Sequence, residues 1–267
     1  MPLVVCATPI GNLEDVTLRV LRELAEADLV LCEDTRRTRI LLERHGITAR
    51  LKSYHEHNEA ERTAEVLPRL QAGERIALAS DAGLPGVSDP GARLIAASLE
   101  ARVQVTVLPG PSAVATALVA SGLVGDRYQF LGYLPRGERA RVALWDELAR
   151  WPYPAVAFES PRRLPASLAT LATAMPDRPV AVCRELTKRF EEVIRGTAAE
   201  VAAQVTEPPK GEITLVLGEQ PAVKGDEQDA LAAVAELVEA GSGRRQAADV
   251  VARLTGLSRN RLYRASL

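Results

Sequence analysis

Three loops in the sequence carry the residue types of a ligand site. Thr8–Asn12 (TPIGN) follows the apolar run Leu3–Ala7, Ser80–Gly91 (SDAGLPGVSDPG) follows Arg75–Ala79, and Leu108–Ala113 (LPGPSA) closes the run Gln104–Leu108. The second loop holds three glycines, two prolines and two aspartates within twelve residues. Glycine lets a ligand approach the backbone closely. None of the three loops contains Arg or Lys, so they are not built to neutralise phosphate; a neutral or cationic ligand with an adenosine-like body suits them. Any one of them can be a plain tight turn. Three together, all at the carboxyl ends of expected strands, favour a site, because open α/β sheets bind ligands there. Asp81 offers acceptors for amino and hydroxyl donors, or serves an Asx turn.

Other chemistries lack their signatures. There is no GxGxxG, no GxxxxGK[ST], no GxSxG and no HExxH, which removes the usual dinucleotide, P-loop, serine-hydrolase and zinc-protease readings. His45, His55 and His57 are the three histidines. His55 and His57 share one face of an extended run, which reads better as a solvated strand end than as a metal site. Cys6, Cys32 and Cys183 are odd in number and far apart, which argues against a disulfide framework or cysteine-bound zinc and for a reduced, cytoplasmic setting. Lys and Arg total 33 against 35 Asp and Glu, a net charge of −2, so any nucleic-acid contact has to come from local patches. The start MPLVVCATP lacks the basic segment of a signal peptide. Val103–Gly125 carries no charge over 23 residues, but Pro109-Gly110-Pro111 breaks it into a buried strand, a turn and a helix rather than a membrane span.

Positioning such loops takes alternating strands and helices. Of the 267 residues, 47% are hydrophobic and 25% charged, with only three Phe, five Tyr and two Trp; the core is therefore mostly aliphatic. Strands are expected at Leu3–Ala7, Leu29–Cys32, Leu51–Tyr54, Arg75–Ala79 and Gln104–Leu108. Between them lie helices from an Asp15 cap to Glu26 (Leu18, Leu21, Leu24 and Ala25 inward), Thr35–His45, Asn58–Leu70, Ala92–Ala101 and Ser112–Ser121. Asp126–Pro135 (DRYQFLGYLP) changes texture and reads as a domain connection. A second cycle follows: helix Glu138–Arg150, strand Ala155–Phe158, helix Leu164–Ala174, strands Pro179–Cys183 and Val193–Gly196, helix Ala198–Thr206 and strand Ile213–Leu217. The alternation predicts an α/β protein with an N-terminal domain over 1–122, a second α/β domain over 123–222, and a tail over 223–267 behind a linker at about Glu219–Asp226.

The tail has opposed charges. Residues 225–240 carry five acids and no base, whereas 241–267 carry six arginines and one acid. Helix Leu231–Glu239 would bury Leu231, Val234, Leu237 and Val238; helix Gln246–Leu254 would bury Ala247, Val250, Val251 and Leu254. Ser258 can cap a last helix in RNRLYRASL, completing a helix-turn-helix-like pattern.

The segments ATPIGNLEDVTLR, CEDTRRT, SYHEHNE, SDAGLPGVSDPG, LPGPSA, FLGYLP, FESPRR, CRELTKRFEE and GEITLVLG cover residues 7–218. In these the chain resembles the tetrapyrrole methylase superfamily of S-adenosylmethionine-dependent methyltransferases. SDAG stands where porphyrin methylases usually carry a GDP-type motif, so the resemblance favours the branch that methylates the ribose 2′-oxygen of a cytidine in 16S rRNA. It implies two α/β domains with the cofactor in the cleft between them, a homodimer, and 16S rRNA or the 30S subunit, in its decoding region, as partner. Carried over to this sequence, the cofactor would touch Ile10, Asp81, Leu84, Ser112 and Ala113, with Phe158, Leu186, Glu212, Ile213 and Thr214 closing over it from the second domain.

Methyl transfer to a 2′-hydroxyl requires alignment and exclusion of water, and a base or a charge that steadies the forming alkoxide. The candidates are Glu33 and Asp34, His55 and His57, Glu159, and Glu185 with Lys188. Lys188 near the hydroxyl, held or tuned by Glu185, leads; the two can equally be a surface ion pair, and none follows a known tetrad spacing. RNA would bind through Arg36, Arg37 and Arg39, Arg162 and Arg163, and Arg136, Arg139 and Arg141, with His55 near the same surface. Tyr54, Tyr128 and Phe130 are possible stacking surfaces. Two other readings compete: methylation of a small tetrapyrrole or a protein side chain on the same scaffold, and a non-catalytic RNA-binding assembly module.

Overall fold

The computed structural model describes residues 2–220 and 227–267, in two compact units, Met1–Glu219 and Gln220–Leu267. The expected linker falls mostly outside the described residues.

The first unit contains two sheets. The first is made of β1 (Leu3–Cys6), β2 (Leu29–Cys32), β3 (Leu51–Ser53), β4 (Ile76–Ala79) and β5 (Val105–Leu108). Its order is β3-β2-β4-β1-β5 and every pairing is parallel. β1, β2 and β4 are buried along their whole length. Helices cover both faces of such a sheet, so LVVC, LVLC and IALA are unbroken apolar runs instead of alternating ones. Its helices are α1 (Leu18–Glu26), α2 (Thr35–Arg44), α3 (Glu59–Gln71), α4 (Ala92–Glu100) and α5 (Ala113–Ser121).

The second sheet is mixed: β6 (Gln129–Tyr133), β7 (Ala155–Glu159), β8 (Pro179–Arg184), β9 (Glu192–Thr197) and β10 (Ile213–Leu217), in the order β6-β7-β10-β8-β9. β6 runs parallel to β7, and the other pairings are antiparallel. Helices α6 (Glu138–Leu148), α7 (Leu164–Ala174) and α8 (Ala198–Gln204) close a core around Trp145, Leu168, Leu171 and Leu215. Helix α5 joins the halves. Its Val114, Ala117 and Leu118 pack with Ile10 of the first half and Val156, Ala181 and Val216 of the second sheet. Small residues bring the helix close to that sheet.

Several expectations are corrected. Helix α1 is capped by Thr17, whose hydroxyl accepts from the Val20 N–H, and not by Asp15. Its buried face is Val20, Glu23 and Leu24, and Leu18 is exposed; apolar residues lie on more than one face of the helix, and packing selects the one through Val20 and Leu24. The supposed domain connection contains strand β6, interrupted by a register shift between Phe130 and Tyr133. Gly132 sits there at a φ of 67°, which disrupts the alternation that marks a strand. Tyr54 is fully buried, its hydroxyl hydrogen-bonded to Thr63, so it is no stacking surface.

The second unit consists of α9 (Glu227–Glu239), α10 (Arg244–Thr255) and α11 (Arg259–Ala265), packed around Ala230, Val234, Ala247, Ala248, Val251 and Leu262. Leu254 lies outside this core, exposed, because the seam follows Ala247, Ala248 and Val251. Ser258 stands at the N-cap of α11 but makes no capping hydrogen bond. No described helix is long and apolar enough to cross a membrane.

Candidate active site

The sheet order explains why three separate loops form one site. They follow β4, β1 and β5, which are adjacent and parallel, so all three leave the same edge of the sheet. A two-way backbone bridge ties the first two: Thr8 N–H donates to Gly83 O at 2.8 Å and Gly83 N–H to Thr8 O at 3.0 Å. The third approaches just as closely, since a Cβ on Gly110 would lie 2.8 Å from the Ala7 Cβ.

Beneath the loops lies a cavity of about 620 Å³ between the two halves of the first unit. Ile10, Asp81, Leu84, Ser112 and Ala113 line it from the first half, and Phe158, Leu186, Glu212, Ile213 and Thr214 from the second. Thus the structure brings together all ten residues expected at the cofactor. Phe158 meets Phe130 and Tyr133 edge to face, with centroids 5.0 and 5.5 Å away, making one wall aromatic. The Ser112 hydroxyl accepts from the Ala115 N–H as the cap of α5. Asp81 is not an Asx-turn residue: its Oδ1 accepts from the Asp34 N–H at 2.9 Å and its Oδ2 pairs with Arg37 at 3.3 Å.

The electrostatics of the lining are one-sided. Glu33, Asp81, Asp89, Glu159 and Glu212 border the cavity, and Arg37 is its one basic residue among those described. Burial, then the Asp81 charge, raises the Glu33 pKa. Burial, followed by the Glu33 and Asp81 charges, pushes Asp89 up to about 7. Such a field favours a cationic ligand over a phosphate.

The loop after β8 carries the Glu185–Lys188 pair. The Lys188 Nζ lies 2.8 Å from Glu185 Oε1 and 3.0 Å from Glu212 Oε2, and Glu185 also accepts from the Glu212 N–H. Burial alone would lower the lysine, but the hydrogen bonds to Glu185 and Glu212 outweigh it, and its pKa lies above the ordinary value. Lys188 is held by Glu185, but as a cation and not as a neutral base. Its side chain lines a smaller adjoining recess with Ile10, Arg37, Asp81 and Glu212. A Cβ on Gly11 would lie 2.5 Å from Lys188 Cγ and 2.9 Å from Leu186 O, so Gly11 lets the loops of the two halves touch.

The remaining candidates are placed differently. Glu159 borders the cavity, yet its side chain has no solvent exposure. It accepts from Ser167 Oγ at 2.5 Å and the Ser160 N–H at 2.6 Å, and pairs with Arg163 at 2.6 Å, anchoring the start of α7. Asp34 stands outside the cavity lining as the cap of α2, its carboxyl held at about 2 by hydrogen bonds from Arg36. Arg36 is tied to that carboxylate at 2.7 Å, and Arg37 stands on the cavity rim. His55 packs beside Asn58, outside the cavity lining but within electrostatic reach of Glu33, and Arg162 is exposed. Arg141, expected on an RNA surface, is buried and donates to Pro135 O and Arg136 O. Sequence reasoning passed over Asp89 and Tyr133. The only signal for Asp89 was that it is the second aspartate of the Ser80–Gly91 loop.

Comparison with known proteins agrees with this architecture. Residues 2–202 match the family described as Tetrapyrrole (Corrin/Porphyrin) Methylases. A Mesorhizobium japonicum protein named ribosomal RNA small subunit methyltransferase I is 43% identical over 268 residues, 99% of this chain and 91% of that one. A Thermotoga maritima protein of the same name is 43% identical over 216 residues, 80% of this chain and 97% of that one. The structure of uroporphyrin-III C-methyltransferase from Thermus thermophilus, complexed with S-adenosylhomocysteine, is 20% identical; it covers 81% of this chain and 97% of that one with a TM-score of 0.58, a likeness of fold. The chain thus belongs to the tetrapyrrole methylase family, in the group named ribosomal RNA small subunit methyltransferase I.

Proposed function

We propose that the protein is an S-adenosylmethionine-dependent methyltransferase that modifies the 2′-hydroxyl of a cytidine in the decoding region of 16S rRNA, as free RNA or in the 30S subunit. The observation that carries the reading is the cavity: loops without Arg or Lys from three adjacent strands, an apolar roof and an acidic lining with a single arginine. An adenosyl group with a positively charged sulfur fits that combination of space, apolar wall and negative field. When bound, S-adenosylmethionine supplies an electrophilic methyl group on its sulfonium. Ile10, Phe158 and Leu186 enclose the donor and keep water out, which strengthens every charge interaction in the site. Asp81, fixed by the Asp34 N–H and Arg37, retains lone pairs for the donor's amino or hydroxyl groups. Lys188, cationic and braced by Glu185 and Glu212, steadies negative charge on the incoming ribose.

Arg36, Arg37, Arg162 and the exposed Arg136 and Arg139 are the RNA contacts in this reading, with His55 behind them. The domains divide at 1–122, 123–222 and 223–267. The working protein is a cytoplasmic homodimer with no membrane attachment, and the basic tail serves RNA or the dimer partner. The test begins with calorimetry against S-adenosylhomocysteine; absence of heat at high concentration leaves a non-catalytic RNA-binding module. Labelled methyl is then offered to 16S rRNA and 30S particles, with a porphyrinogen as control. Transfer to RNA in an alkali-resistant linkage is the expected result, and transfer to the porphyrinogen alone overturns it.

A further inference from the structure

If Lys188 stays protonated, the hydroxyl proton needs another acceptor. The carboxylates around the cavity divide sharply by what already holds them. Glu33 is offset by the Arg37 charge, the backbone N–H of Asp81 and His55. Asp81 is engaged by the Asp34 N–H and Arg37, Glu159 by Ser160, Ser167 and Arg163, and Glu185 and Glu212 by Lys188. Among the described residues, Asp89 is the lining carboxylate with no hydrogen bond, no ion pair and no cation or donor acting to offset its charge. An unpaired, partly desolvated carboxylate is costly, and in a cleft it marks a group kept for function.

Its position within the sheet narrows that function. Ile10 and Pro109–Ala113 follow β1 and β5, on one side of β4. Asp89, at the far end of the β4–α4 loop, interacts with Glu33, at the end of β2 on the other side of β4, with Asp81 in its own loop, and with Tyr133 at the end of β6. Asp89 therefore borders the same cavity as the donor loops, at the edge that faces β2 and β6. The geometry points to Asp89 as the catalytic proton acceptor for the ribose hydroxyl. This rests on the reading of the protein as a ribose methyltransferase.

The step balances. The hydroxyl proton passes to an Asp89 oxygen, the ribose oxygen bonds to the methyl carbon, and the carbon–sulfur bond breaks with its electron pair left on sulfur. The positive charge of the sulfonium and the negative charge of the carboxylate disappear together. The products are a neutral thioether, a methylated ribose and a protonated Asp89 that returns its proton to water. Glu33 and Asp81 repel the Asp89 carboxylate and raise its proton affinity. Tyr133 is itself raised by burial and then by Asp89, so it faces Asp89 as a neutral phenol. The arginines at this wall are committed elsewhere, Arg37 to Asp81 and Arg163 to Glu159, and His55 acts on Glu33.

The test uses the full chain with Asp89→Asn and Asp89→Glu. Asp89→Asn should lower kcat on 30S particles by ~10²–10⁴-fold, the usual share of a general base, with S-adenosylhomocysteine affinity unchanged. Asp89→Glu should recover part of the rate. The wild-type kcat/KM should rise with pH through a midpoint near 7, and Asp89→Asn should lose that limb. In the protein without cofactor, the ¹³C carboxyl resonance that vanishes in Asp89→Asn should titrate at the same midpoint. An unchanged pH limb, a change in KM alone, a loss of S-adenosylhomocysteine binding, or titration in the ordinary aspartate range each overturns the assignment. Failure of the wild type to methylate RNA overturns the ribose-methyltransferase reading and the role of Asp89 together. Full transfer by Asp89→Asn overturns the role of Asp89 alone.

Discussion

Replacing Asp89 by asparagine should stabilise the protein, by an amount that depends on pH. The carboxyl is raised from 3.8 to about 7 by burial, then by Glu33 and Asp81. Between those two values the folded state holds a proton that the unfolded state has released, so wild-type stability falls as pH rises. Below the unfolded value the group contributes nothing, and above the folded value the penalty is complete and constant. For a fully buried group, a rise of that size would correspond to ~4 kcal/mol. The side chain is only partly buried, and solvent screening reduces this to ~1–2 kcal/mol. Asparagine keeps the shape but has no charge to desolvate. Urea unfolding of both proteins between pH 4 and pH 8 measures the difference, and comparing the pair cancels the titrating groups that do not interact with Asp89. The stability gap should widen in favour of the variant up to about pH 7 and then level off. Parallel curves would mean that Asp89 ionises as it does in water, and the argument for a poised carboxylate would fail. A variant less stable at every pH would make Asp89 a structural residue.

Four further outcomes follow from the packing and charge of the site. Gly11→Ala puts a methyl 2.5 Å from Lys188 Cγ and 2.9 Å from Leu186 O; it should cost ~1–3 kcal/mol as overpacking and weaken S-adenosylhomocysteine binding in calorimetry by displacing Leu186. Arg178→Met removes a fully buried guanidinium that donates to Leu148 O, Trp151 O, Tyr153 O and Gly218 O; stranded carbonyls should lower unfolding stability by ~3 kcal/mol, with no effect on the pH profile of methyl transfer. Glu159→Gln leaves Arg163 without its buried counter-charge and should cost ~2–4 kcal/mol in a urea melt, any activity loss following the fraction unfolded. Since the chain is net −2, RNA affinity measured against salt should show a clear negative slope arising from arginine patches, and a flat plot would contradict phosphate contact.

Much of the fold was legible because its signals are local. The strands β1, β2 and β4 are short apolar runs with no alternation, and the loops after β1 and β4 announce themselves by glycine and proline. Ser112, Gly46 and Gly122 mark helix ends where the sequence puts them. The failures share a different cause. Strand β6 was hidden because Gly132 and a shifted register interrupt its period. The inward faces of α1 and α10 were misjudged because both helices carry apolar residues on more than one face, and only the neighbouring sheet or helix selects the one that is buried.

The site divides along the same line. That three loops lacking Arg and Lys belong together could be inferred, because their placement at strand ends follows from the order of elements. Their adjacency depends on the β4-β1-β5 order, which brings strands far apart in sequence side by side. The roles of individual carboxylates depend on partners that no spacing reveals. Glu159 is equally acidic in sequence but is consumed by Ser167 and Arg163, and Asp34 by Arg36. Asp89 follows a serine and precedes a proline in a turn-rich loop, which reads as turn chemistry. It stands out only when every other carboxylate is matched to its donor. Reactivity here is what remains after the hydrogen bonds have been assigned, a property of the folded ensemble of side chains and not of any motif.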